Sequence, residues 1–374
     1  MSSEISSTTV GRGALAERLD SIDLLRAVAA LAVTALHATH HGVWSSIHGP
    51  YDASYFVLLP ISFGGAGVYL FFVISGFCIH LRWAKATAAG TPPRNDFVPF
   101  WKRRLRRLYP AYAAALAVGI AFAIHDGAGG AAFAFDVASH ALLVHNLHPD
   151  TLYTINPVFW TLAIEEQLYL LYFLFLWMRR RYSWRTILIV CFGVRIAWQA
   201  IALVAERQGV MLVVSESAQA TWFIWVMGAL AVEHFYGLVD LPRWTRSLPI
   251  AGAFAIATAL LIYLDVFLGG SGPLHLASLL LMQPGWAIAS FITLNVIVRR
   301  ESWLYARRKS PWIAPLLWIG LASYSLYLFH MYVLRGPGLS YVTGFLAAIA
   351  AAAVAFFLFE RPFIKPRPRP PAEK

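Results

Sequence analysis

The sequence predicts an all-α polytopic membrane protein of about ten transmembrane helices, with both termini in the cytoplasm. Three observations predict this. The composition is 59% hydrophobic and only 13% charged, about half the charged fraction usual for a soluble domain. The apolar residues gather into segments long enough to cross a bilayer core as helices. Once those segments are threaded, 26 of the 30 lysines and arginines fall on one side. The net charge of +11 is then a topology signal, and nucleic acid is not an expected partner.

Residues 1–18 are polar, with Ser and Thr runs, and read as a disordered cytoplasmic tail. The span 19–362 reads as one ten-helix membrane domain. Its apolar segments lie at about 22–42, 60–82, 108–125, 157–178, 186–206, 215–235, 248–268, 274–298, 312–334 and 341–360. The first is too long for a signal-peptide core and is expected to be retained. The third is the weakest, because Gly119 and His125 interrupt its end. An even number of spans puts both termini on one side. The basic residues fix that side as the cytoplasm, filling the connections 82–107, 179–185, 236–247 and 299–311 and both tails. The four exceptions are Arg26, Arg195, Arg207 and Arg335. Residues 363–374 read as a basic, proline-rich cytoplasmic tail, and no appended soluble domain is expected.

Cys78 and Cys191 both fall inside apolar segments, which suits neither a disulfide framework nor a zinc site. No metal is expected. No internal repeat supports an inverted-repeat transporter. Two external connections are the expected places for recognition of an extracytoplasmic substrate. The loop 126–156 holds Asp126, Asp136, Asp150, His140, His145 and His148, with an apolar piece, Ala138–Leu147, expected as a short interfacial helix. The loop 43–59 adds His48, Asp52 and several aromatics.

The chemistry is sought among polar groups at membrane depth, where they are costly and rarely idle. Arg26 and His37 are 11 residues apart on the first span. Eleven steps of about 100° bring them to nearly one face, roughly 16 Å apart along the axis. His37, Glu165 or Glu166, and His330 are expected at similar heights in the outer third of three different spans. An imidazole beside a carboxylate makes a general base. The alternative for any of these histidines, and for His40, His41, His48 and His140 above all, is an interfacial side chain satisfied by water or a carbonyl. Adjacent glutamates project about 100° apart, so one of the two faces a given partner. On the cytoplasmic side, FWKRRLRRLYP (100–110) carries Arg104 and Arg107 on one helix face, with Arg103 beside them. Guanidinium forks suit phosphate oxygens, although topology signalling or lipid head groups would call for the same residues. Ser75 lies nearby in depth, next to Gly76, which permits a close approach of backbone or ligand. Arg195, mid-span, serves either structural pairing or substrate contact. P-loop, HExxH, CxxC and GxSxG patterns are not present in the sequence.

Five motifs in order resemble the membrane-bound acyltransferase-3 family of cell-surface sugar and antibiotic acylating enzymes. They are Asp23–His37 with its Arg-x10-His pattern, FFVISGF (71–77), Arg104–Pro110, FWTLAIEEQLYL (159–170) and, more softly, SYSLYLFH (323–330). The resemblance covers about 19–362. Thr161 stands where the family usually has Ser, and Leu168 where it usually has Phe. Some relatives carry an extracytoplasmic SGNH hydrolase-like domain, and this chain is expected to work as a stand-alone transferase. The resemblance implies transfer of an acyl group, commonly acetyl, from cytoplasmic acyl-CoA to a hydroxyl of an extracytoplasmic or lipid-linked glycan, or of a macrolide-like acceptor. No resident cofactor is expected; acyl-CoA is a substrate. On that reading His37, Glu165 and His330 are the catalytic candidates. Arg26, Ser75, Arg103, Arg104 and Arg107 are the acyl-CoA-binding candidates, and Asp23, Tyr169, Tyr324 and Arg195 support them. Glu165 is expected to orient His37, and Asp23 to hold Arg26. The competing expectations are a transporter or lipid-linked-sugar flippase whose His and Glu relay protons, and a sensor using its external histidines as a pH switch.

Overall fold

The computed structural model describes residues 19–42, 60–93, 96–336 and 339–364. The expected tail 1–18, residues 365–374 of the other expected tail, the loop 43–59 with His48 and Asp52, and the side chains of His40 and His41 lie outside the described residues. No strand occurs among the described residues, and the chain is an all-α polytopic membrane protein. Eight described helices are long and apolar enough to cross a membrane, and nine if one bent pair counts as a single span.

The helices are α1 (Asp20–Gly42), α2 (Gly67–Ala88), α3 (Phe97–His125), α4 (Gly130–Ala141), α5 (Trp160–Arg179), α6 (Trp184–Arg207), α7 (Ala218–Phe235), α8 (Leu248–Phe267), α9 (Gly272–Val298), α10 (Glu301–Arg307), α11 (Ala314–Leu321), α12 (Ser323–Leu334) and α13 (Tyr341–Ala355). The expected sixth span is α7, whose 18 residues have a lower mean hydropathy than those of the spanning helices. Sixteen of its 18 residues are buried, including Glu233 and His234. A helix ringed by protein need not be as lipophilic as one that faces lipid, so polar residues are tolerated if they find partners.

Glycines let α2 and α7 pack backbone to backbone. A Cβ on Gly76 would strike the carbonyl of Trp225, and one on Gly228 would strike that of Val73. The same logic joins α11 to α1, where a Cβ on Gly320 would meet the Asp23 carbonyl. Polar ties lock the end of the bundle that the basic residues assign to the cytoplasm. Glu301 caps the start of α1, accepting from the Asp20 and Ser21 amides at 2.8 Å each. Glu233 accepts from Arg179 at 2.7 Å and Trp184 at 2.9 Å, and meets His80 at 3.0 Å. A buried carboxylate with this many donors meets the requirement that its lost hydration be replaced.

Three local expectations are corrected. The basic stretch before the third span is not a loop, because α3 begins at Phe97 and runs 29 residues through Pro110. Its Leu, Lys and Arg are good helix formers, so the helix extends past the apolar limit. The expected interfacial helix at Ala138–Leu147 lies earlier, as α4 over Gly130–Ala141. It ends at Ala141, two residues before Leu143, whose φ of 56° is left-handed. The expected span 312–334 is broken between α11 and α12 by a bend of 76°. The amides freed at the break are capped from the last span. A π turn, Phe356–Glu360, delivers the Glu360 carboxylate to Ser325 N at 3.2 Å and Ser325 Oγ at 2.7 Å.

Candidate active site

One cavity of about 120 Å³ lies within the bundle between α1, α2, α3, α5 and the broken pair. Arg26, Ser75, Arg104 and Arg107 line it, and so do Glu165, Tyr169 and Tyr324. Seven of the twelve residues singled out from the sequence therefore share one wall. Their elements explain the convergence. α1 presents Arg26 on its inward face, held by Asp23 at 3.9 Å and by Cys78 Sγ at 3.6 Å. α3 presents Arg104 and Arg107 one turn apart.

The lower half of the cavity is rich in cations. The Arg104 guanidinium lies over the rings of Phe100 and Tyr169, at 5.7 and 5.6 Å. Arg107 Nε is buried with no hydrogen-bond partner. Facing these three guanidiniums are Glu165 and Glu360. Glu165 accepts from Ser75 Oγ at 2.8 Å and from Tyr169 Oη at 2.5 Å. Ser75 Oγ in turn accepts from Trp225 Nε1 at 3.3 Å.

The upper end is different. His37 Nδ1 meets His330 Nε2 at 2.8 Å, with the rings stacked at 5.0 Å. His330 Nδ1 faces the carbonyls of Leu326 at 3.0 Å and Tyr327 at 2.9 Å. Two acceptors on Nδ1 require that it carry the proton, which leaves the lone pair on Nε2. His37 Nδ1 is then the donor, and the basic lone pair of a neutral His37 is on its Nε2.

The expected pairing of Glu165 with His37 is not what the helices give. Thr161 Oγ1 meets Tyr327 Oη at 3.0 Å. Glu165 lies one turn inward of Thr161, and His330 about one turn outward of Tyr327. At 1.5 Å per residue this separates Glu165 from His330 by roughly 10 Å along the axis. The expected equal height of His37 and His330 holds, since the two rings meet, but the height inferred for Glu165 fails because α5 begins at Trp160 rather than Pro157, while α12 starts only after the break. The imidazole of His330 occupies the place expected for the carboxylate.

Three further candidates fall elsewhere. Arg103 is exposed and lies outside the cavity. Arg195 is buried and bonds Gln283, the Ala220 carbonyl at 3.3 Å and the Leu279 carbonyl at 3.1 Å, which ties α6, α7 and α9 together. Glu166 lines a smaller void beside Tyr109, Tyr112 and Leu143, so Glu165 is the glutamate of the main cavity. Glu360 was missed. Its signal was a carboxylate closing the last apolar span, in AFFLFERP.

On the outer side, α4 and the turns after it form a folded cap. His140 and His145 are fully buried and stack at 3.8 Å, with Asp136 Oδ1 3.1 Å from His140 Nδ1. Burial pushes the His145 imidazole down to about 3, helped by its neighbour His140, and lowers His140 as well.

A family model described as "Acyltransferase domain" matches residues 19–360. O-acetyltransferase OatA of Staphylococcus aureus is 28% identical over 339 residues, covering 82% of this chain and 53% of that protein. Peptidoglycan O-acetyltransferase OatA of Listeria monocytogenes is 27% identical over 342 residues, covering 83% of this chain and 48% of that protein. The chain spans about half the length of these curated relatives. No solved structure matches it.

Proposed function

The chain belongs to the acyltransferase-domain family, and from that premise we propose that it moves a short acyl group from cytoplasmic acyl-CoA to a hydroxyl of an extracytoplasmic cell-wall glycan. The relatives named O-acetyltransferase and peptidoglycan O-acetyltransferase make acetyl the first donor and peptidoglycan the first acceptor to try. Those relatives come from bacteria, so the membrane proposed is the bacterial cytoplasmic membrane.

The observation that carries the reading is the convergence of Arg26, Arg104 and Arg107 on one buried cavity that rises toward a histidine pair. Like charges gather in a low-dielectric site when an anion is to be held there. The buried, unpartnered Nε of Arg107 is the kind of group a phosphate oxygen would satisfy. A long, thin donor with phosphates at one end and a thioester at the other fits this gradient.

In this mechanism His37 Nε2 takes the proton of the acceptor hydroxyl as its oxygen attacks the thioester carbonyl. The carbon–sulfur bond breaks, and the thiolate takes the proton back from the imidazolium. The ester and free CoA thiol are the products. His330 fixes the tautomer of His37 and shares the charge that develops on it. Glu165 works at the donor end, where it positions Ser75 and Tyr169 and faces the arginines.

The test is thiol release from acetyl-CoA by proteoliposomes containing the protein, with peptidoglycan fragments outside, and mass spectrometry of the fragments. Acceptor-dependent thiol release with a matching acetyl ester is expected. Transport of a sugar or lipid-linked sugar without thiol release would overturn the reading in favour of a flippase.

A further inference from the structure

The cavity does not reach the histidines. Its lining ends at Tyr327, one helical turn short of His330, and neither His37 nor His330 lines it. Between the two stands a collar. Tyr327 Oη donates to the Val158 carbonyl at 3.2 Å and meets Thr161 Oγ1 at 3.0 Å. Thr161 Oγ1 also faces the Val158 carbonyl at 3.0 Å. The Phe71 ring meets that of Tyr327 edge to face, with centroids 5.9 Å apart. Three helices, α2, α5 and α12, thus each place one side chain in the collar, and all three side chains also line the cavity.

We propose that Phe71, Thr161 and Tyr327 form a size filter that admits a two-carbon acyl group toward His37 and rejects longer chains. The proposal rests on the acyl-transfer reading above and names what sets its donor selectivity. The collar is rigid for identifiable reasons. Tyr327 is nearly fully buried, its hydroxyl is tied to α5 at two points, and its ring is braced by Phe71. A pinned aromatic ring cannot swing aside without losing two hydrogen bonds in a dry interior, so the collar holds its shape. Oγ1 of Thr161 is committed to Val158 and Tyr327, and Thr161 lines the end of the cavity. Discrimination by a single methylene in an apolar aperture typically reaches about 10–200-fold, which is enough to separate acetyl from propionyl and butyryl.

The experiment compares acetyl-, propionyl- and butyryl-CoA as donors for the full-length protein in proteoliposomes, using thiol release and the mass of the acylated acceptor. Thr161→Ser keeps the hydroxyl and removes one methyl group. Tyr327→Phe keeps the ring and removes its anchor. Each is expected to raise the propionyl-to-acetyl ratio of kcat/KM by about tenfold. Ratios within twofold of the parent in both variants, with acetyl transfer still measurable, would overturn the filter and leave the transferase reading standing. A parent protein that releases thiol from none of the three donors would remove that reading and the filter with it. A purely structural role for the collar would lower all three donors together and leave the ratio unmoved.

Discussion

Nδ1 of His37 stands 2.8 Å from Nε2 of His330, so the first span and the helix beyond the break share one hydrogen bond. The backbone carbonyls behind His330 dictate its direction. One imidazole is thereby used to aim another.

Replacing His37 by Ala is expected to lower acyl transfer by about 10²–10⁴-fold, the usual worth of a general base. Replacing His330 by Ala should cost less, because His37 keeps its ring but loses its fixed tautomer. Thiol release from acetyl-CoA, measured on variants with parental membrane insertion, checks both. Parental activity in His37→Ala would remove this residue from the mechanism.

Arg107→Ala should raise KM for acyl-CoA by about 10–100-fold, the worth of a charged hydrogen bond or two, with a smaller effect on kcat. Arg107→Lys should not restore affinity, because a compact ammonium cannot reproduce a buried fork. Acceptor KM serves as the control and is expected to stay near the parental value.

Glu165→Gln and Ser75→Ala remove two ends of one hydrogen bond. Their effects on kcat/KM are therefore expected to be non-additive, the double variant being little worse than the poorer single one. Additive losses in that cycle would mean that the two residues act separately at the donor end.

Acid should loosen the outer cap. The folded value of His145, about 3, lies below the ordinary 6.5, so the unfolded cap binds the proton first. Its stabilising contribution is complete above about pH 6.5 and declines as pH falls toward 3, by up to about 1.4 kcal/mol per pH unit. His140 shifts in the same direction, with Asp136 as the carboxylate beside it. Hydrogen exchange of residues 130–156 between pH 7 and 5 should show loss of protection, and His145→Phe should flatten that dependence.

Much of the site was legible because membrane depth restricts where polar residues occur. Arg26, Ser75, Arg104, Arg107 and Glu165 were each conspicuous in apolar or interfacial sequence, and all five line the cavity. Lateral neighbours were not legible. The spacing of Glu165 from its span end placed it near His37, but the late start of α5 and the break before α12 moved the carboxylate to the arginine-lined half of the cavity. Glu360 was invisible for another reason. A carboxylate at the end of a span reads as an interfacial charge, and only the π turn shows that it points inward to Ser325. The fold class followed from hydropathy and charge alone. The buried helix α7 was counted as an ordinary span because segment length cannot tell a helix surrounded by protein from one surrounded by lipid.

The 293 residues that separate His37 from His330 also set a timetable for synthesis. At about 5–20 residues per second, the ribosome reaches His330 roughly 15–60 s after His37. Glu301, which caps the amides of Asp20 and Ser21, arrives almost as late. Over that interval the insertion machinery must hold a first helix whose His37 lacks His330 and whose Asp20 and Ser21 amides lack Glu301. A nascent chain in this condition lacks the His37–His330 pair, so on the proposed mechanism truncated products released early would be inert.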